Sequence, residues 1–95
     1  MLRWFSGGQE RGNNAIDLLT KLAKIFDKNT QSYRIIIKFI KELESPNKPV
    51  PYILSTFNLE IAKAIQQDDI NLNNTQAQLL KKIREISNIR YGGNI

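Results

Sequence analysis

Residues 31–65 have the sequence QSYRIIIKFIKELESPNKPVPYILSTFNLEIAKAI, in which two helical patterns flank a proline-rich break. Before the break, apolar residues recur at the i, i+3, i+4, i+7 spacing of one helix face, namely Tyr33, Ile36, Ile37, Ile40 and Leu43. The β-branched run 35–37 alone is also compatible with a strand. Because Lys38, Lys41 and Glu42 occupy the other face, the pattern favours a helix.

The break spans residues 45–51 and contains all 3 prolines of the chain. Proline lacks a backbone N–H and disfavours helical geometry in the residue before it, so this segment is predicted to be a loop. Pro51 suits the first turn of the following helix, where the missing donor costs nothing. The buried face of that helix is predicted to consist of Leu54, Phe57, Ile61, Ala64 and Ile65.

Another helix is predicted on the N-terminal side of this stretch. Its helically spaced apolar residues are Ile16, Leu19, Leu22, Ala23 and Phe26. The helix can begin on either side of residues 12–14, Gly-Asn-Asn, which form helices poorly. It is predicted to end at residues 28–30, where the side chain of Asn29 or Thr30 can cap the next helix.

A last helix is predicted on the C-terminal side, after the turn-prone residues 68–74, with Asn73 or Asn74 as its cap. Its apolar residues are Leu79, Leu80, Ile83, Ile86 and Ile89 or Arg90. Gly92 and Gly93 are predicted to end it. Four amphipathic helices with short connections predict an all-α, antiparallel four-helix bundle, with residues 1–95 as a single helical domain. Since the patterns leave no further apolar face, we expect a monomer or a weakly associating protein.

The composition of the 95 residues indicates a protein that stays in the cytoplasm. There is no cysteine for a disulfide, and the first eight residues contain no apolar core of signal-peptide length. The longest mostly apolar stretch, 35–40, is interrupted by Lys38, so no membrane span is expected. The net charge of +5 is compatible with anionic partners as well as with simple solubility.

The side chains that most enzymes depend on are absent or badly placed. Histidine and cysteine, the commonest general base and the strongest nucleophile, do not occur. Asp68 and Asp69 form the only adjacent pair of acids, and we interpret them as solvated turn-forming residues. Asp69, Asn71 and Asn73 have calcium-loop spacing, but the required glycine and the bidentate glutamate are missing. We therefore expect neither an enzyme nor a bound metal or cofactor.

Two regions of the sequence have the residue types of a binding surface. Arg3, Trp4, Phe5 and Arg11 cluster near the N-terminus, where the aromatic pair can also fold over the end of the bundle. In the last helix Arg84, Asn88 and Tyr91 recur at i, i+4, i+7 and share one face outside the core.

Two alternatives to a protein-binding module remain open from these patterns. A small basic nucleic-acid-binding domain is compatible with the sequence pI of about 9.7, although no compact basic recognition helix is visible. A peripheral membrane protein is also possible. It would need a helix with Trp, Phe or Leu opposite a Lys/Arg face, and no periodic segment shows one.

Three strings of residues resemble the immunity proteins for class IIa (pediocin-like) bacteriocins, in particular the piscicolin and mundticin immunity proteins. The first is Trp4-Phe5-Ser6-Gly7-Gly8, followed by Glu10-Arg11 and Ala15. The second comprises Val50-Pro51, Ile53-Leu54-Ser55, Asn58, Ile61 and Lys63-Ala64-Ile65. The third is Ile86-Ser87-Asn88-Ile89-Arg90-Tyr91-Gly92. The resemblance extends over nearly the whole chain and is weakest between residues 21 and 48.

This resemblance implies a cytosolic four-helix bundle without enzymatic activity. It also implies a partner, the membrane part of the mannose phosphotransferase permease with bacteriocin bound, and no nucleic acid. In the family the C-terminal half tends to decide which bacteriocin is resisted, and Asn88, Arg90 and Tyr91 lie in the third string. Together with Arg84, which shares the helix face of Asn88 and Tyr91, they are the predicted partner-binding residues. The sequence departs from the pattern at Tyr52, Thr56 and Phe57 and in the tail 93–95, which leaves the cognate bacteriocin open.

Overall fold

Most helix boundaries follow the sequence punctuation, but the first helix ends at Lys24 and not at the predicted residues 28–30. A computed structural model describes the backbone of residues 3–88 and the side chains of residues 11–87. Its helices are α1 (Arg3–Lys24), α2 (Gln31–Glu44), α3 (Val50–Asp68) and α4 (Asn74–Asn88). α2 and α4 each pack against both α1 and α3, and the short connections make successive helices antiparallel. The described chain is therefore the predicted antiparallel four-helix bundle.

One core, to which all four helices contribute, fills the centre of the bundle. Its buried side chains are Ala15, Leu18, Leu19, Leu22, Phe26, Ile36, Phe39, Leu43, Ile53, Leu54, Phe57, Ile61, Leu80, Ile83 and Ile86. Most of the predicted core positions are among them. Ile16, Ala23, Ile65 and Leu79 are half-buried at its margin. Ile89, Arg90 and the Gly92–Gly93 stop lie outside the described residues.

The predicted buried face of α2 is correct at four of its five positions, since Ile36 and Leu43 are buried and Tyr33 and Ile40 pack against the core. Ile37 was wrong, because it is half-buried and lies outside the core, and Phe39 is buried instead. α2 has apolar residues on more than one face, so its local pattern did not fix this detail. Packing decides it: the ring of Phe39 meets that of Phe57 edge-on, with centroids 5.4 Å apart.

Side-chain caps begin two of the helices as predicted. Thr30 precedes α2, and its hydroxyl accepts a hydrogen bond from the Tyr33 N–H at 3.1 Å. At the start of α4, Asn73 Oδ1 accepts from the Gln76 N–H at 2.8 Å, and Gln76 Oε1 accepts from the Asn73 N–H at 2.9 Å. Gln76 Nε2 also donates to the carbonyl of Ile25 at 2.9 Å, which ties α4 to the end of α1.

The interpretation of Asp68 as a solvated turn former was wrong. Its carboxylate accepts hydrogen bonds from the Gln31 N–H at 3.2 Å and from the Ser32 N–H and hydroxyl, each at 2.7 Å. Asp68 thus joins the end of α3 to the positive N-terminus of α2. The Ser32 hydroxyl lowers the pKa of Asp68 below its ordinary 3.8, and the two backbone N–H groups act in the same direction. Asp69 does form the turn, in left-handed geometry.

The contacts of Asp68 make the stability of the protein dependent on pH. Because the folded-state pKa lies below the unfolded value, the stabilisation is present above about pH 3.8 and is lost as the pH falls through the folded pKa. Asp68→Asn should therefore lower the melting temperature at pH 7, and the gap from wild type should narrow on acidification. Melting curves between pH 7 and pH 2.5 test this. Asp69→Asn is the control, and a gap for Asp68→Asn that does not change with pH would contradict the assignment.

Candidate partner-binding cleft

A cleft of about 240 Å³ lies between α3 and α4, in the C-terminal half of the bundle. It is bounded by both helices and by the connection between them, which contributes Leu72. The residues that line it are Asn58, Ile61, Ala62, Ile65, Leu72, Leu80 and Arg84.

The cleft is apolar at its base and carries one charged group. Ile61 and Leu80 form part of the base and are buried in the core. Leu72, from the α3–α4 connection, is 38% exposed, and Arg84 is exposed on α4. The lining contains no carboxylate. Such a site suits an apolar side chain of a partner that has a carboxylate or carbonyl oxygen nearby for the guanidinium.

A short hydrogen-bond chain fixes the end of the cleft beside Arg84. The Asn58 amide nitrogen donates to the Ser87 hydroxyl at 3.0 Å, and that hydroxyl donates to the backbone carbonyl of Arg84 at 2.7 Å. These bonds join α3 to the last turn of α4. The backbone that carries Arg84 is therefore held in a fixed position relative to the apolar base.

The predicted partner-binding residues fall partly within this region. Arg84 lies in the cleft lining, and Asn88 is the last residue of α4, one turn further on. The side chain of Asn88 and the whole of Arg90 and Tyr91 lie outside the described residues. The side chains of the N-terminal cluster 3–5 lie outside them as well, although α1 begins at residue 3.

The sequence analysis missed the contributions that α3 and the connection make to the cleft. Asn58 and Leu72 belong to other elements than Arg84, so no periodicity within one helix links them. Asn58 could nevertheless have been found from the sequence, because it belongs to the second of the three strings that resemble the family. The short connection 69–73 also implies that α3 and α4 are neighbours.

No group of three His, Cys, Asp or Glu side chains that could hold a metal ion occurs within residues 11–87. Two of the residues with calcium-loop spacing have backbone roles instead: Asp69 ends α3 and Asn73 caps α4. None of the helices in the described range is both long enough and apolar enough to cross a membrane.

The fold defines a class of protein, a small antiparallel four-helix bundle. The chain is 38% identical over 76 residues to an uncharacterized 9.1 kDa protein in the BM1 immunity protein 3′ region of Carnobacterium maltaromaticum, which covers 80% of this chain and 93% of the relative. No family model matches the chain.

A solved structure gives a second, independent similarity. It is the crystal structure of an immunity protein that contributes to the self-protection of bacteriocin-producing Enterococcus mundtii 15-1A. The TM-score is 0.73 at 30% sequence identity, over 80% of this chain and 95% of that one. The chain therefore belongs to the family of class IIa bacteriocin immunity proteins, as its sequence strings indicated.

Proposed function

We propose that this protein acts in the cytoplasm to protect a cell from a class IIa bacteriocin, by recognising the bacteriocin-bound membrane part of the mannose phosphotransferase permease and preventing a lethal pore. The observation that carries this is the similarity in sequence and fold to the self-protection protein of Enterococcus mundtii over 95% of its length. That similarity favours this function over nucleic-acid binding. The role is binding, not catalysis.

The α3–α4 cleft is the surface we assign to this recognition. It offers an apolar base and a guanidinium on a backbone that hydrogen bonds hold in place. Arg84 and Asn88 lie on one face of α4, and Arg90 and Tyr91 follow them in the chain. Arginine and tyrosine often dominate contact energies, because each joins a large flat surface to a polar group. We propose these four residues as the part of the site that selects the bacteriocin.

Expression of the gene in a bacteriocin-sensitive strain tests this function. We expect growth at concentrations of at least one class IIa bacteriocin that stop the same strain carrying the gene with an early stop codon. A tagged version of the protein should recover the permease from detergent extracts of bacteriocin-treated cells and not from untreated cells.

The two measurements separate the function from its proposed mechanism. Sensitivity to every member of a broad bacteriocin panel, with the protein present and folded, would contradict the protective function. Protection without recovery of the permease would leave the function standing and contradict the proposed partner.

A further inference from the structure

The outward face of α3 exposes two large apolar side chains. Tyr52 is 56% and Leu59 is 71% exposed, and they lie seven residues apart, two turns along the same side of the helix. Ser55, Lys63 and Gln66 continue this side and are also exposed. We call these five residues the α3 outer stripe.

The acidic residues of α3 contact the neighbouring helix α2, whereas its basic residue lies on the stripe. Both acidic residues of α3 are engaged with α2: Glu60 Oε1 lies 3.1 Å from Lys38 Nζ, and Asp68 binds the first residues of α2. Lys63, the only basic residue of α3, lies on the stripe. Lys48, just before the helix, has its Nζ 5.4 Å from the centroid of the Tyr52 ring. The charged side chains on and beside the stripe, Lys63 and Lys48, are therefore both positive.

Arg34 and Lys41 on the adjacent outer surface of α2 extend this positive field, whereas the charge of Lys38 is paired with Glu60. Arg34, Lys38 and Lys41 are exposed at positions i, i+4 and i+7 of α2. Lys38 forms the Glu60 ion pair at the surface between the two helices, which places these cations beside the stripe.

From this arrangement we infer that the α3 outer stripe binds an anionic phospholipid surface. Tyr52 and Leu59 enter the boundary between headgroups and acyl chains, while Lys48 and Lys63 pair with lipid phosphates. Apolar side chains that enter the interface and cations attracted to anionic headgroups both contribute to binding at a bilayer surface. Two apolar side chains separated by small polar residues are too few for the core of a stable protein interface, which buries on the order of 1,000 Å² or more. They are sufficient for reversible adsorption to a charged bilayer.

This inference does not depend on the proposed receptor, because purified protein and protein-free vesicles test it. The protein should co-sediment with vesicles of phosphatidylglycerol and phosphatidylcholine, bind pure phosphatidylcholine vesicles much more weakly, and dissociate as salt is raised. Leu59→Ser and Tyr52→Ser should each weaken the binding by roughly tenfold, since full burial of such a side chain contributes about 1.5–3 kcal/mol and about 1.4 kcal/mol is tenfold.

Gln67→Ser, an exposed position of α3 outside the stripe, is the matched control and should bind like wild type. Thermal melts verify that all variants are folded. Equal binding to both kinds of vesicle would overturn the inference, as would unchanged binding of both stripe variants. If Leu59→Ser abolished protection in cells but bound anionic vesicles like wild type, the stripe would contact a protein instead, and the lipid assignment would be wrong.

Discussion

Phe57→Ala is expected to destabilise the protein by about 3–5 kcal/mol, the usual range for truncation of a fully buried aromatic side chain. Phe57 has no exposed surface and lies in the centre of the core, with its ring edge-on to Phe39. Removal of the ring deletes this contact and leaves a cavity that the four helices can close only in part. Because domains of this size are stable by only about 5–15 kcal/mol, the variant should unfold at a much lower urea concentration.

Leu59→Ala, two residues further along α3, provides the control. Leu59 is 71% exposed, so its truncation should change the free energy of unfolding by less than about 0.5 kcal/mol. Urea titration followed by circular dichroism measures both variants. Similar losses for the two would show that α3 is rotated relative to the arrangement described above.

Most of the fold could be predicted because it depends on local signals. The proline-rich break, the Thr30 cap and the helical spacing of Leu54, Phe57 and Ile61 are all short-range features, and the structure contains each of them. That Phe39 and not Ile37 faces the core could not be predicted, since isoleucines surround much of α2. Its orientation depends on the contact between Phe39 and Phe57, which are distant in sequence.

The role of Asp68 could not be predicted either, because it also depends on contacts between residues that are distant in sequence. Its hydrogen-bond partners lie 36 and 37 residues earlier in the chain, at the N-terminus of α2. In the sequence it is one of two acids in a polar turn, and nothing local distinguishes it from Asp69. Only the antiparallel packing of α2 and α3 brings the carboxylate to those donors.

Only the α4 side of the candidate site could be predicted from the sequence. Arg84 followed from helical spacing, and Asn88, Arg90 and Tyr91 followed from the family resemblance, since both signals concern a single helix and the residues after it. Asn58 and Leu72 join it only because α3 and the connection pack beside α4. The predicted buried face of α3 left out Leu59, in agreement with its exposure.

Arg84→Glu should reduce protection strongly while leaving the fold intact. Arg84 is exposed and forms no ion pair with any side chain that the structure describes, so reversal of its charge removes no contact that holds the bundle together. In the cleft the new carboxylate would repel the oxygen atoms that a guanidinium attracts. Loss of a dominant contact costs about 2 kcal/mol or more. The bacteriocin concentration that the cells tolerate should fall by roughly thirtyfold or more.

Lys82→Glu is the matched control for this variant, since it makes the same change of charge two residues earlier on α4 and lies outside the cleft lining. If only the total charge of α4 matters, both variants should lose protection equally, and the cleft assignment would be wrong. If the cleft binds the partner, Lys82→Glu should protect like wild type while Arg84→Glu does not. Melting temperatures of the two variants within about 2 °C of each other would show that the difference arises in binding, because about 1 kcal/mol shifts a domain of this size by some 4–8 °C.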